Sequence, residues 1–130
     1  MFKFEFDDGA GILIVRVLGV WTMPEIERYG REAGSQFRSA RFKAGSLRLL
    51  VDCSGGHICP RDLVEPLGRA GMQHSRGDDR AAMVVGSSLS KLQVKRMSEG
   101  APAQIFNSER EARIWLAEMA AAGRQTAAAA

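Results

Sequence analysis

Cysteine is scarce in this chain. Cys53 and Cys59 are the two in 130 residues, too few for a disulfide scaffold, so a reducing cytoplasm is the expected compartment. No apolar run reaches the ~18–20 residues that a membrane span requires, and no stable membrane insertion is expected. The opening Met1-Phe2-Lys3-Phe4-Glu5 lacks the charged-then-apolar pattern of a secretion signal. Neither sign of charge dominates: 18 Lys and Arg against 15 Asp and Glu leave +3, which is no electrostatic footprint for nucleic acid. Two histidines supply little material for acid–base catalysis. What is present is the makeup of a soluble globular domain, 45% hydrophobic and 25% charged. The length is too small for two conventional domains, yet enough to bury roughly two-thirds of the unfolded surface in one core.

Strand-like and helix-like segments alternate. Phe2, Phe4 and Phe6 at period two, followed by Asp7-Asp8-Gly9, predict a strand and a turn. Ile12 to Leu18 is rich in β-branched residues and almost continuously apolar, as befits a central strand covered on both faces. The two segments read as a hairpin with Phe2–Phe6 outermost. Thr22 is placed to cap a first helix, because Glu25 follows at capping-box spacing and Pro24 falls in the first turn. Ile26, Tyr29, Ala33 and Phe37 then mark its buried face. Leu47 to Asp52 is a third strand, and Pro60 opens a second helix with Leu63, Val64 and Leu67 inward. Ala81 to Val85 is a fourth strand, and Gly86-Ser87-Ser88 leads into a basic helix through Met97. A short strand at Gln104-Ile105-Phe106 precedes the last helix, where Ser108 and Glu111 repeat the capping-box spacing and Ala112, Trp115, Leu116 and Met119 form the inner stripe. The order ββαβαβαβα predicts an α/β fold with a mixed, mostly parallel five-stranded sheet and the first strand antiparallel at or near an edge. Residues 1–122 form the single domain, and the small residues of 123–130 are expected to be a frayed tail.

Four segments carry a family resemblance: Gly19-Val20-Trp21-Thr22, Leu49-Leu50-Val51-Asp52, Asp79 to Leu89, and Phe106 to Leu116. In their order and spacing the chain resembles the SpoIIAA-like (STAS/SEC14-type) proteins of bacteria over residues 1–119. The resemblance implies a STAS-like fold and, through the likeness of this branch to lipid-transfer domains, binding of a nonpolar ligand. In the anti-sigma-factor antagonists that define STAS domains, a serine in an Asp-Ser-Ser-Gly run starts the second helix and is phosphorylated. The corresponding region here reads Cys53-Ser54-Gly55-Gly56-His57-Ile58-Cys59-Pro60, with no Asp-Ser pair at the helix start.

Ligands of parallel sheets bind beyond the carboxyl ends of the strands, where loops and helix N-termini converge. That geometry would gather Trp21, Thr22, Asp52, Ser54, Ser87, Ser88 and Asn107 at one rim, the candidate set for a small nonpolar or anionic ligand. Thr22, Ser88 and Ser108 serve equally well as plain helix caps, each worth about 1 kcal/mol. Trp21, in a loop, would line a nonpolar pocket or staple across the start of the first helix. Cys53, His57 and Cys59 have the spacing C-x3-H-x-C, which differs from the paired C-x2-C arms of closed zinc sites, so no metal is expected. Gly86 to Lys91 lacks the register of a phosphate loop. Lys91, Lys95 and Arg96, like Arg38, Arg41, Lys43 and Arg48, are basic without interleaved aromatics and read as solvated surface.

These features together predict a non-enzymatic cytoplasmic module without a cofactor, which binds a small nonpolar or amphipathic ligand or a protein partner. Homodimerisation through an exposed patch on Phe2–Phe6 or a helix face is a further expectation. The alternative is a partner-switching regulator controlled by phosphorylation at Ser54, Ser87 or Ser88.

Overall fold

A computed structural model describes residues 1–55, 59–99 and 103–129, with the side chains of the last helix described as far as 123. Strands β1 (Phe2–Asp7) and β2 (Ile12–Val17) form the expected antiparallel hairpin, with Phe2 opposite Val17 and Asp7 opposite Ile12. The Asp7 carboxylate closes the turn by accepting from the Ala10 amide at 3.0 Å. Helix α1 (Met23–Ala44) starts at Thr22, whose hydroxyl accepts from the Glu25 amide. It stops at Gly45, where φ of 84° suits glycine and the amide bonds back to the Arg41 carbonyl.

Next come β3 (Arg48–Cys53), a single 3-10 turn at Arg61–Leu63, α2 (Val64–Met72), β4 (Arg80–Val85), α3 (Ser88–Met97), β5 (Ala103–Phe106) and α4 (Glu109–Ala129). Pro60 therefore precedes the 3-10 turn rather than opening α2 directly. The cap of α3 is Ser87, which accepts from the Ser90 amide at 3.1 Å, so Ser88 is the first helical residue and not the cap. Ser108 caps α4 through the Glu111 amide, as its spacing suggested. Helical backbone continues through 123–129, which ends in three alanines, the best helix former.

The sheet runs β1-β2-β3-β4-β5, with β1 antiparallel at one edge and the other neighbours parallel. Because strands in sequence order are also neighbours in space, their right-handed crossovers fall on one side of the sheet. Side-chain alternation then sorts the core into two layers. Leu13, Val15, Val17, Leu49 and Val51 join Ile26, Tyr29, Phe37 and Leu67 on the side of α1 and α2. Ile12, Ile14, Leu50, Ala82 and Val84 meet Ala112 and Leu116 of α4 on the other. Phe2 is buried and Phe4 and Phe6 pack half-buried against the larger layer, so the outer strand turns its rings inward. Among the described residues, no helix is long and apolar enough to cross a membrane.

Because α4 covers its face of the sheet alone, its anchor is sensitive. Leu116 is fully buried, and Leu116→Ala is expected to lower unfolding free energy by about 2–5 kcal/mol in urea titration. A loss under 1 kcal/mol would mean that α4 is not a structural part of the fold.

Candidate functional site

A cavity of about 130 Å³ lies between the sheet and the layer of α1, α2 and α3. Its floor is the inward row of the strands, Val15, Leu49, Val51 and Met83, and its roof includes Phe37, Leu67 and Val94. Small residues contribute to its wall: Gly71 of α2, Ala81 of β4 and Ala103 of β5 lie on it, and Gly68 of α2 admits the α3 backbone, since a Cβ there would lie 3.0 Å from the Met97 carbonyl oxygen. A Cβ added at Gly71 would touch nothing within 4 Å. Among the wall residues, Met72 and Ser75 near the end of α2 are exposed, so the cavity approaches solvent there.

Trp21 closes the opposite end. It is buried because β1 and α1 give it aromatic neighbours: its ring stacks on Phe2 at 5.7 Å and meets Tyr29 edge-on at 5.6 Å. Pocket wall and staple are thus one role. Burial also governs the two free thiols on the wall. It pushes Cys53 up to about 12, helped by the negative charge of Asp52, and burial and Asp62 raise Cys59 as well. Both stay protonated and weakly nucleophilic at neutral pH.

Several polar groups around the cavity, on Gln93, Ser98, Ser90 and Asp79, are engaged within the protein. The Gln93 side-chain amide of α3 donates to the Cys59 carbonyl at 2.8 Å and accepts from the Cys59 amide at 3.0 Å, pinning Cys59 to α3. Ser98 donates to the Val94 carbonyl at 2.7 Å, and the Ser87 and Ser90 hydroxyls bond each other at 3.0 Å. At the other end Asp79 accepts from the Arg41 guanidinium at 2.6 Å and from the Arg76 amide at 2.7 Å. Arg41 also donates to the His74 carbonyl at 2.8 Å, so one buried ion pair ties α1 to the loop before β4. Gln93 carries no signal in the sequence, since one amide on a helix is indistinguishable from any other until its partner is known.

The seven rim candidates divide. Trp21 lines the cavity, and none of the other six does. Thr22 and Ser87 are spent as caps, and Ser88 and Asn107 are exposed. Asp52 and Ser54 do come together: the Ser54 hydroxyl and amide both donate to the Asp52 carboxylate. The loops after β3 and β4 also touch, because a Cβ at Gly86 would lie 2.6 Å from the Ser54 carbonyl oxygen, an approach only glycine permits. Asp52, however, alternates onto the α4 face. There it receives Arg16 of β2 at 2.9 Å, and the same guanidinium nitrogen reaches Glu109 at the start of α4, also at 2.9 Å. Glu109 in turn binds Arg113, which binds Asp7. This chain of charges joins β1, β2 and β3 to α4.

His57 of the considered metal set lies outside the described residues. Among the described residues, no group of three or more His, Cys, Asp or Glu could hold a metal ion. No family model, curated protein or solved structure matches the chain.

The Arg16 network generates a pH prediction. Burial raises Asp52, but the Ser54 hydrogen bonds and Arg16 outweigh it and hold the carboxyl below its ordinary 3.8. The Arg16 hydrogen bond does the same for Glu109 against burial, below 4.5. A carboxyl lowered on folding adds stability above its ordinary value and loses it as pH falls through the lower folded one. Arg16→Gln should therefore cost about 1 kcal/mol at pH 7, the modest figure of a half-solvated network. It should also flatten the stability loss below pH ~4.5 in urea titrations at stepped pH. An unchanged acid limb would refute the pairing.

Proposed function

We propose that this chain is a non-enzymatic binding module that takes a small nonpolar or amphipathic ligand into the cavity between its sheet and α1–α3. The observation that carries this reading is the cavity itself, about 130 Å³ of mainly apolar-walled space between the sheet and the helices that approaches solvent at Met72 and Ser75. Well-packed cores of this size leave few voids larger than a water molecule, and each costs stability when empty. A void with glycine and alanine on its wall fits a site kept open for an occupant. Two protonated thiols on the wall support binding in preference to covalent catalysis, and their unpaired state suits a reducing cytoplasm. The element order ββαβαβαβα is that of the STAS-like family which the sequence resembles, and it supports a SpoIIAA-like assignment.

The test is native mass spectrometry of the full chain purified gently from cell extract, beside the cavity-filling variant Ala81→Leu. The wild type should carry a noncovalent adduct that the variant loses while keeping its circular dichroism spectrum. Apo protein alone, with the same thermal response of both chains to a panel of apolar compounds, would refute the reading.

A further inference from the structure

We infer that the groove on the outer side of α1 and α2 is a docking surface for an acidic amphipathic helix of a protein partner. The groove is open to solvent, holds about 1480 Å³, and runs between α1 and α2 to the end of α3. It borders the cavity at Gly68, Met72 and Met97 but has no sheet residue on its wall, and the inference does not depend on the cavity's being filled. Close contacts between the helices build its floor. A Cβ at Gly34 of α1 would lie 2.9 Å from the His74 ring, and His74 Nε2 donates to the Gly30 carbonyl at 2.9 Å. The segment that follows α2 is thereby held against α1, so the groove is formed before any partner arrives.

Charge identifies the occupant. Five exposed arginines line the groove: Arg31 and Arg38 from α1, Arg61 from the 3-10 turn, Arg69 from α2 and Arg96 from α3. Arg38 and Arg96 belong to separate basic neighbourhoods of the sequence, and the fold brings them to one surface. Three glutamates share the wall, Glu27, Glu65 and Glu99, and Glu65 is taken up by Arg69 at 2.7 Å. Every Asp and Glu of the sequence falls among the described residues, and among these none pairs with Arg31, Arg38, Arg61 or Arg96. Guanidinium groups bind carboxylates through paired hydrogen bonds, so four of them without a partner favour an anionic occupant. The apolar part of the wall narrows the choice. Met23, Ile26, Pro66, Met72 and Met97 line the same groove, and Met23 and Met72 are exposed. Unbranched, polarisable methionines adapt to the apolar face of a docked helix. A polyanion without apolar groups would leave them in water, whereas an acidic amphipathic helix covers them and meets the arginines with its flanking carboxylates. Met23 to Arg38 of α1 extend over about 23 Å, room for four turns of a partner helix.

The experiment is fluorescence anisotropy of three labelled peptides, each of about four helical turns, with the full chain at pH 7. The first carries leucine at helical spacing and glutamate elsewhere, the second has lysine for each glutamate, and the third keeps the composition of the first in an order without an apolar face. The first should bind saturably. It should weaken at least tenfold when NaCl rises from about 0.1 M to about 1 M, which shortens the screening length from about 10 Å to about 3 Å. The lysine peptide should not bind, and the scrambled acidic peptide should bind at least tenfold more weakly. Arg31→Glu with Arg38→Glu should reduce binding at least tenfold with the circular dichroism spectrum unchanged. Lys91→Glu with Lys95→Glu makes the same change of net charge at exposed residues that do not line the groove, and should alter binding less than twofold. If the arginine pair does not fold, Arg61→Gln with Arg96→Gln removes two cations from other elements and should weaken binding at least threefold. No saturable binding of the first peptide, equal binding of the scrambled one, or equal loss in both charge-reversed pairs would overturn the inference. Tighter binding of a thymidine oligonucleotide, or self-association in sedimentation velocity that the Arg31/Arg38 variant abolishes, would overturn it too, because the groove would then serve nucleic acid or a second copy of the chain.

Discussion

The alternation of side chains across β2 and β3 is the constraint on which the rest of this molecule depends. These central strands are covered on both faces, so every residue is committed to one of two layers. Val15 and Val51 go to the cavity side, and Ile14 and Leu50 go to α4. The charged residues obey the same parity. Arg16 and Asp52 point to the α4 layer, where Glu109 completes their network, while the neighbouring Cys53 points to the cavity. A slip of one residue would put a guanidinium among the rings and a thiol among the carboxylates, which the burial cost of an unpaired charge forbids.

Sequential strand order adds a second asymmetry. Three crossovers in the same direction stack α1, α2 and α3 on one face and leave α4 to cover the other. The crowded face holds the larger core cluster, but it is also where the cavity lies, beside a short α2 of Val64–Met72 that puts Gly71 on its wall. Polar clasps at both ends hold the layers apart around the space, Gln93 on Cys59 at one and Arg41 on Asp79 at the other. These clasps satisfy their own hydrogen bonds, so the polar groups that form them are not stranded beside the apolar wall.

The elements were legible because they rest on local chemistry. Thr22 caps α1 through the amide at the predicted spacing, Ser108 does the same for α4, and the inward residues of α1 recur as its periodicity requires. Where two serines adjoin at 87 and 88, the choice of cap depended on where the backbone turns from extended to helical, and it fell one residue earlier than expected. The site was less legible. A general rule for parallel sheets points to the rim, whereas the cavity lies beneath it, and Trp21 is the residue the two share. Asp52 and Ser54 do meet at the rim, but Arg16 takes up the carboxylate from a strand whose pattern marked it only as a charged interruption in an apolar run.

Scarcity of cysteine, near balance of charge and the periodicities of strands and helices were enough to determine an α/β chain with a mixed sheet of five strands and an antiparallel first strand. Those properties follow from interactions a few residues apart, which a sequence displays directly. The cavity, the aromatic clamp on Trp21, the Gln93 clasp and the Arg16 network were decided only by tertiary structure. Each joins residues from different elements, 34 positions apart for Gln93 and Cys59 and 93 for Arg16 and Glu109. Empty space in particular has no residue to announce it. It arises where residues of separate elements leave a gap between packed layers, and only those layers bring Gly71 and Ala81 to one cavity wall.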